Sequence, residues 1–243
     1  MNKKVSIVIP TYNERENILL LLETLQEQDR KNKDYTYEVV VVDDDSPDDT
    51  AEEVAKKFKP PFLKLIVRKN ERGLGTAIGK GMADASGEVV VGMDADFNHD
   101  PEILLDLVKK LDRCDLVVAS RFIKGGGMDN KFRYFATKSF NLALRTIFAF
   151  PTTDNASGYY AIRKKDLEKL NLKKIYYGYG DYHLRLVYKA KVAGYKICET
   201  PVYYKERSYG ESKSKLLRMA VSYLKEAIKL RFYEKQNHST RKG

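Results

Sequence analysis

The chain has 243 residues, of which 43% are hydrophobic, and a formal net charge of +10 at pH 7. This length and apolar content suffice for one domain with a buried core, or for one domain with an extension. No apolar run reaches the roughly 18 to 20 residues of a membrane-spanning helix, and the N-terminus, MNKKVSIVIP, lacks the apolar segment of a signal peptide. We therefore expect a cytoplasmic protein.

Most of the positive charge lies at the C-terminal end. The stretch from Lys205 to Gly243 contains eleven Lys or Arg against four Glu. A solvated tail would explain this excess, and so would a surface for anionic lipid, for a phosphorylated ligand or for nucleic acid. Nucleic acid is the weakest of these alternatives, because the excess is confined to one segment without an aromatic stacking motif.

The two cysteines, Cys114 and Cys198, are far apart and lack CxxC spacing. In a cytoplasmic protein this pattern is typical of reduced residues that pack in the core. We expect neither a disulfide nor a metal site from them.

Five apolar runs rich in β-branched residues predict strands, and polar segments with helical periodicity separate them. The runs are Val5 to Pro10, Tyr37 to Asp44, Leu63 to Arg68, Glu88 to Asp94 and Asp115 to Ser120. They are nearly continuous rather than alternating, which indicates strands buried on both faces of a mostly parallel sheet. The fold class is therefore α/β.

Capping residues predict where three of the helices begin. Asn13 stands three residues before Glu16, and Ser46 and Asp100 each precede a proline. After Pro101, the apolar residues of the next segment recur on one helical face, namely Ile103, Leu104, Leu107, Val108 and Leu111.

Polar segments follow four of the predicted strands, with the sequences PTYNE, DDDSPDD, DADFNHD and SRF. Ligands of open parallel sheets bind beyond the carboxyl ends of the strands. Carboxylates there would repel an anionic ligand unless a divalent cation lay between them. Asp94 and Asp96, with Asn98, offer the hard oxygen atoms that suit Mg²⁺ or Mn²⁺ shared with a diphosphate. Asp100 is predicted to cap a helix and the adjacent His99 to face solvent.

Two other motif interpretations fit less well. ERGLGTAIGKG contains closely spaced glycines, but the dinucleotide-binding motif follows the first strand, where this chain has PTYNE. VVVGMDADF is similar to the nucleophile loop of haloacid-dehalogenase-type phosphatases, but that family has its motif near the N-terminus and Thr or Val at the position of Asn98.

Four motifs in order resemble one family: VSIVIPTYNERENI, VVVDDDSPDDT, GLGTAIGKGMADASGEVVVGMDAD and YKERSYGESKSK. Together they look like an inverting family 2 glycosyltransferase of the GT-A fold, and most like the polyprenol (dolichol) phosphate mannosyltransferases. The resemblance implies a Rossmann-like, mostly parallel sheet flanked by helices over residues 1–213, followed by a basic amphipathic helix and tail at 214–243. The implied reaction transfers a hexosyl residue, with GDP-mannose as the favoured donor, to polyprenyl phosphate with inversion.

The resemblance also implies site residues. On the donor side, Pro10, Tyr12, Glu14, Asp43, Asp44 and Asp94 bind the nucleotide, and Asp94, Asp96 and Asn98 hold Mg²⁺ or Mn²⁺. On the acceptor side, Arg121, Arg133 and Thr137 bind the phosphate, and Asp154, Ser157, Gly158 and Asp181 form the sugar and acceptor pocket. Arginine suits phosphate because its planar fork binds two oxygens at once.

Three positions depart from the family pattern. Asn98 replaces a Gln and shortens the third arm of the metal site, and Thr137 replaces a Ser but keeps the hydroxyl. Arg185 stands where relatives often carry a Glu, and we expect Asp181 to take part of that role.

The implied mechanism needs charge stabilisation rather than a strong base. A metal on Asp96, together with Arg207 and Lys213 on a mobile basic loop, would neutralise the nucleoside diphosphate leaving group. These three residues are the predicted catalytic residues. The acceptor phosphate is already anionic at pH 7, so its attack needs no catalytic His or Glu.

The C-terminal segment predicts an amphipathic helix. One face carries Leu217, Ala220, Val221, Leu224, Ile228 and Phe232, and another carries Lys215, Arg218, Lys225 and Lys229. Such a helix can lie on the cytoplasmic face of an anionic membrane, pack on the catalytic domain, or pair with a membrane-anchored partner subunit.

Other functions remain open at this point. A processive polysaccharide synthase is disfavoured, because the chain contains no Trp and so lacks the Gln-x-x-Arg-Trp motif of those enzymes. A UDP-sugar donor, a different acceptor, and a non-catalytic membrane-docked subunit with the same fold are the alternatives to the mannosyl transfer.

Overall fold

The computed structural model describes residues 2–205 and 216–240, without the side chains of residues 216–218 and 233–240. The strands are β1 Lys3–Thr11, β2 Tyr35–Asp43, β3 Leu63–Val67, β4 Val89–Gly92, β5 Leu116–Ser120, β6 Gly127–Met128, β7 Tyr160–Arg163, β8 Ile197–Pro201 and β9 Tyr203–Tyr204. The α-helices are α1 Arg15–Lys31, α2 Thr50–Lys57, α3 Leu74–Asp84, α4 Leu104–Lys110, α5 Lys131–Phe148, α6 Lys164–Lys169, α7 Tyr182–Val192 and α8 Leu216–Thr240. The predicted loop residues Arg207 and Lys213 lie outside the described part of the chain.

A seven-stranded sheet forms the centre of the fold, in the order β3-β2-β1-β4-β7-β5-β8. All neighbours are parallel except β7, which runs antiparallel between β4 and β5. The five strands predicted from the sequence are confirmed, and so is the mostly parallel α/β sheet. The two strands outside this sheet, β6 and β9, pair with each other and form a short second sheet.

The sheet is covered on both faces, as the continuous apolar runs predict. Successive side chains of a strand point to opposite faces, so Ile7 and Ile9 of β1 belong to one core cluster and Val8 to the other. The predicted stripe of α4 lies in the first cluster with Leu104, Leu107, Val108 and Leu111 buried. The second cluster includes residues of α3, α7 and α8.

Helix starts follow the sequence prediction in one case and differ in two. Asp100 caps the turn at Pro101, because its side chain accepts a hydrogen bond from the amide of Glu102 at 2.9 Å. Helix α1 begins one residue later than Asn13 predicts, after Glu14. Ser46 does not cap a helix. It binds Asp43, and α2 begins only at Thr50.

The prediction of two reduced cysteines is wrong in this structure. Cys114 and Cys198 form a disulfide, with 6.1 Å between their Cα atoms. Cys114 lies just before β5 and Cys198 lies on the neighbouring strand β8. Sequence spacing gives no sign of this proximity, because it arises from the order of strands in the sheet.

One face of α8 packs on the domain through Tyr223, Ala227 and Leu230, which are buried. The predicted apolar stripe is a different face, since Val221, Leu224, Ile228 and Phe232 are all exposed. Within the described ranges, no helix is both long and apolar enough to cross a bilayer.

Candidate active site

Two adjoining cavities lie beyond the carboxyl ends of β1, β2 and β4. The first has a volume of about 400 Å³ and the second about 160 Å³. Four residues line both cavities, namely Leu74, Asp94, Asp96 and Tyr179. The position agrees with the rule that open parallel sheets bind ligands at this edge.

The first cavity contains most of the residues assigned to the donor nucleotide. Pro10, Tyr12, Glu14 and Asp44 line it from the ends of β1 and β2, and the N-terminal turn of α3 closes the opposite side. The guanidinium of Arg72 lies 4.6 Å from the centre of the Tyr12 ring at this wall. Arg72 and Gly73 were not among the residues predicted for the site.

Asp43 and Asp44 differ in position although they are adjacent in sequence. Asp43 is fully buried and lines neither cavity. Its carboxylate accepts from Thr11 Oγ1 at 2.7 Å and from the amide of Ser46 at 2.8 Å, so it joins the loops after β1 and β2. Asp44 faces the first cavity and accepts from the amide of Gly73 at 2.9 Å while Arg68 binds its other oxygen.

The loop after β4 places the two predicted metal-binding carboxylates between the cavities. Asp96 accepts hydrogen bonds from Asn98, one from the amide N–H at 3.2 Å and one from Nδ2 at 2.9 Å. In this structure Asn98 therefore orients Asp96. Asn98 also lines the second cavity.

The donor set fits a hard divalent cation that also binds a diphosphate. Among the described residues, no group of three or more His, Cys, Asp or Glu is arranged to hold a metal ion. Two carboxylates and one amide oxygen leave several positions of an octahedral Mg²⁺ or Mn²⁺ for phosphate oxygens and water. Such sharing is expected where a cation enters together with a nucleotide.

His99 is buried, so the prediction that it faces solvent is wrong. Its exposed fraction is 1%, and its ring stacks on Tyr159 with centroids 4.9 Å apart. Its Nδ1 accepts from the amide of Asp94 at 2.8 Å, and its Nε2 lies 3.0 Å from the carbonyl oxygen of Ser157. Because an amide N–H only donates and a carbonyl only accepts, the proton is on Nε2 and the imidazole is neutral. His99 thus joins the loop of Asp94 to that of Ser157.

Arg121 lines the second cavity, and two of its five guanidinium N–H groups bind Asp154 inside the protein. Asp154 accepts from Arg121 Nε at 2.6 Å and from Nη2 at 2.7 Å, and the Asp154 side chain is fully buried. Asp154 lines neither cavity, contrary to a direct pocket role, and supports Arg121 from behind. The hydrogen bonds to Asp154 leave Nη1 of Arg121 outside this ion pair.

The other predicted acceptor residues are divided between the cavity wall and its surroundings. Arg133, Ser157 and Gly158 line the second cavity, whereas Thr137, one turn along α5 from Arg133, does not. Gly158 has a φ of +82°, and a Cβ there would lie 3.2 Å from the Tyr182 hydroxyl oxygen. A side chain at this position would therefore be strained and would narrow the cavity.

The segment before α7 forms the wall shared by both cavities. Asp181 lines neither cavity, because its oxygens accept from the amide of Tyr179 at 2.9 Å and from Arg185 Nη1 at 2.9 Å. Neighbouring residues reach the ligand space instead, with Tyr179, Gly180 and Tyr182 on the second cavity. Asp181 shapes this wall and does not form its surface.

Sequence reasoning missed the aromatic lining of the second cavity. Tyr179, Tyr182, Tyr204 and Tyr223 all contribute to it. They come from three separate segments of a chain with 17 tyrosines, so no motif distinguishes them. Burial raises the pKa of Tyr182, Tyr204 and Tyr223, which remain neutral hydroxyl groups at physiological pH.

His183 differs from His99 in the hydrogen bonding of its ring. It is buried beside Tyr160, and both ring nitrogens lack hydrogen-bond partners within the described structure. Burial lowers the pKa of His183 to about 3, so the ring is neutral in the folded protein. An unfolded chain binds a proton at this residue near pH 6.5, and stability is therefore lost as the pH falls from 6.5 toward 3.

His183→Phe is expected to remove part of the acid sensitivity of the fold. Between pH 7 and pH 5 the wild type should lose about 2 kcal/mol of unfolding free energy through this histidine, and the variant should not. Urea denaturation at the two pH values measures the difference. An equal pH dependence in wild type and variant would contradict the assignment.

Comparison with known proteins places the fold in the GT-A class. A crystal structure of glucosyl-3-phosphoglycerate synthase from Mycobacterium tuberculosis, in complex with Mn²⁺, UDP and glucosyl-3-phosphoglycerate, matches with a TM-score of 0.70 and 18% sequence identity, over 94% of this chain and 80% of that chain. Mannosyl-3-phosphoglycerate synthase from Rubrobacter xylanophilus matches with a TM-score of 0.68 and 16% identity, over 98% of this chain and 75% of that chain. At these identities the likeness concerns the fold alone.

Sequence comparison then identifies the family. The model described as "Glycosyl transferase family 2" matches residues 6–170, and the chain belongs to this family. The dolichol-phosphate mannosyltransferase of Pyrococcus furiosus is 37% identical over 87% of this chain, which spans 59% of the length of that relative. An undecaprenyl-phosphate mannosyltransferase of Micrococcus luteus is 33% identical, over 86% of this chain and 87% of that protein. The predictions of GT-A fold and glycosyltransferase family are confirmed.

Proposed function

We propose that the protein transfers a hexosyl residue from a nucleotide sugar, with GDP-mannose as the favoured donor, to the phosphate of a polyprenyl phosphate, with inversion of the anomeric centre. The observation that carries the proposal is the position of Asp94 and Asp96, which line both the donor cavity and the arginine-containing second cavity. The names of the two relatives given above, a dolichol-phosphate and an undecaprenyl-phosphate mannosyltransferase, support the choice of sugar and acceptor.

Mg²⁺ or Mn²⁺ would be held by Asp94, Asp96 and the amide oxygen of Asn98. Bound there, the cation would neutralise charge on the diphosphate of the donor. The cavity lining would hold the nucleoside next to Tyr12 and Asp44. Arg207 and Lys213, outside the described residues, are proposed to add positive charge at the same phosphates.

The second cavity is proposed to hold the acceptor phosphate. Arg121 and Arg133 line it, and their charges favour a phosphate over a neutral hydroxyl acceptor. A phosphate oxygen is anionic at neutral pH and attacks without losing a proton, so the site needs no general base. The neutral tautomer of His99 and its internal hydrogen bonds agree with a positioning role for that residue.

A lipid acceptor has to reach the site from a membrane, and two helices offer a surface for it. On α5, exposed apolar side chains are Phe132, Phe135, Leu142 and Ile147, and on α8 they are Val221, Leu224, Ile228 and Phe232. The two helices meet through the rings of Phe140 and Tyr223, whose centroids are 6.4 Å apart. Both helices also line the second cavity, through Arg133 on one side and Met219 and Tyr223 on the other.

We propose that this two-helix surface binds the cytoplasmic face of an anionic bilayer. Exposed cations on the same helices, among them Lys138, Arg145 and Lys225, provide the complementary charge. The protein would then be a peripheral membrane protein, with its acceptor cavity next to the lipid headgroups.

Phe132→Ser combined with Phe135→Ser is expected to weaken binding to phosphatidylcholine–phosphatidylglycerol vesicles at least about tenfold, since two exposed rings lose their apolar contact with lipid. Co-sedimentation measures the binding. Val67→Ser is the matched control, because Val67 is also an exposed apolar residue but lies on the edge strand β3. Unchanged vesicle binding by the double variant would instead favour a second copy or a partner protein as the occupant of this surface.

Transfer of radiolabelled sugar to polyprenyl phosphate in detergent with Mn²⁺ tests the proposed reaction. GDP-mannose, UDP-glucose and UDP-N-acetylglucosamine are supplied in parallel. Labelling from GDP-mannose alone is the expected result. Labelling from a UDP-sugar alone would overturn the choice of GDP-mannose as donor. No labelling from any donor, with membranes present, would favour a non-catalytic subunit.

A further inference from the structure

Arg185 is a fully buried cation next to the site, and the proposed reaction does not use it. It lies on the first turn of α7 with 1% of its surface exposed. Its Nε donates to the carbonyl oxygen of Ile175 at 2.7 Å, and its Nη2 donates to the carbonyl oxygen of Tyr177. Its Nη1 binds Asp181 at 2.9 Å. One side chain thus holds three points of the segment from residue 175 to residue 181.

This segment forms one part of the wall that the two cavities share. Tyr179 lines both of them, and the carbonyl oxygen of Gly178 accepts from the amide of Gly75 at 3.1 Å. Gly75 belongs to the first turn of α3, whose N-terminus forms the far side of the donor cavity. A Cβ on Gly75 would lie only 2.5 Å from the carbonyl oxygen of Tyr177. The wall and α3 are therefore closely packed, and a shift of one displaces the other.

A second group of contacts ties the same wall to α8. Glu226, which is 5% exposed, lies 3.4 Å from Arg185 Nη1 and accepts from the Tyr177 hydroxyl at 2.9 Å. Tyr223, one turn earlier on α8, lies against Gly180 so closely that a Cβ there would overlap its hydroxyl oxygen. The exposed Lys229 lies 3.7 Å from the other oxygen of Glu226, so the two cations and two carboxylates of this group balance in charge.

We infer that Arg185 and Glu226 are positioning residues that fix the wall between the cavities, and that donor affinity depends on α8 being seated on this wall. The inference rests on the proposed function, because it takes the first cavity to be the nucleotide site. Arg185 binds two carbonyls and Asp181, and Glu226 adds a second carboxylate at 3.4 Å whose charge Lys229 matches at the exposed end of the contact. The exposed face of α8 then points away from this contact, toward the proposed membrane.

Nucleoside diphosphate binding tests the inference without requiring turnover. Calorimetry with GDP and with UDP, each with Mn²⁺, is applied to wild type, Arg185→Lys and Glu226→Gln. Lysine cannot reach two carbonyls and two carboxylates at once, so we expect Arg185→Lys to raise the Kd about tenfold. Glu226→Gln keeps an acceptor for Tyr177 but loses the charge, and we expect about a fivefold rise. Ser222→Ala, an exposed change on the same helix, should leave the Kd within twofold.

The double variant distinguishes a shared mechanism from two separate defects. If Arg185 and Glu226 act through one contact, the double variant should bind no more weakly than Arg185→Lys alone. Fold-changes that multiply would overturn the inference, as would a Kd of Glu226→Gln within twofold of wild type. If Glu226→Gln does not fold, Tyr177→Phe replaces it as the test, because it removes only the hydroxyl that donates to Glu226. We expect this variant to raise the Kd about twofold to threefold. An unchanged Kd would overturn the inference.

Transfer kinetics add a readout that general destabilisation would not produce. We expect the donor KM to rise in parallel with the Kd while kcat at saturating donor changes less than threefold, since Asp96 and the arginines of the second cavity are unaltered. A fall in kcat with an unchanged donor KM would contradict a positioning role. Absence of transfer in the wild type would reject the proposed reaction and leave the binding comparison intact.

Discussion

Asp96→Asn is expected to lower kcat for hexosyl transfer about 10³-fold. The substitution keeps the size of the side chain and removes the charge that the proposed cation and the departing diphosphate require. Asp96 lines both cavities, so its carboxylate lies between the proposed donor and acceptor sites. The rate is measured with saturating donor and Mn²⁺ in detergent.

Two further variants make this result specific. Asn98→Ala removes the Nδ2 hydrogen bond at 2.9 Å that orients Asp96, and a loss of about tenfold to a hundredfold is expected for such a supporting residue. Asp112→Asn is the matched control, because Asp112 is exposed and lies far from these cavities. Near-normal transfer by Asp96→Asn, with unchanged Mn²⁺ dependence, would contradict the proposed metal site.

Asp154→Ala is expected to lower the free energy of unfolding by about 3–5 kcal/mol. The change leaves Arg121 charged, buried and without its two short hydrogen bonds, and a broken buried pair has a cost of this size. Burial would lower the pKa of the Arg121 guanidinium, but Asp154 outweighs this effect and raises it, so Arg121 stays charged. Urea denaturation followed by circular dichroism measures the loss.

A double substitution separates stability from function. Arg121→Met with Asp154→Leu replaces both charges by apolar groups, so most of the lost stability should return. Transfer should not return, because the second cavity then lacks the Arg121 cation. Restored transfer in this double variant would show that Arg121 does not bind the acceptor phosphate.

Five of the nine described strands and the general location of the candidate site could be predicted from the sequence, because both depend on local patterns. Continuous β-branched runs identify buried strands, and polar segments at their ends identify the ligand edge. The loop of Asp94 and Asp96 follows from these two facts. Its position between two cavities agrees with a shared role for donor and acceptor.

The roles of individual residues behind the surface could not be predicted in this way. Asp43, Asp154 and Asp181 lie in the same motifs as residues of the cavity wall, but hydrogen bonds turn them inward. The partners of Asp43 and Asp154 come from distant segments, and that of Asp181 lies on the next helical turn. His99 stands beside a helix cap, and only the fold places Ser157 next to its ring. The contact of Arg185 with Glu226 joins residues on different helices, and an amphipathic pattern in α8 does not reveal it.

The antiparallel strand β7 has a consequence for how the protein is made. It pairs with β4 on one side and with β5 on the other. Ala161 of β7 lies between Val91 of β4 and Val117 of β5. During synthesis the strand that precedes Asp94 therefore keeps one open edge until residues 160–163 have left the ribosome. Pairings between such distant segments form slowly, and an open apolar edge favours association with other chains. Chains that end before β7 should therefore aggregate, whereas the completed sheet has this edge closed.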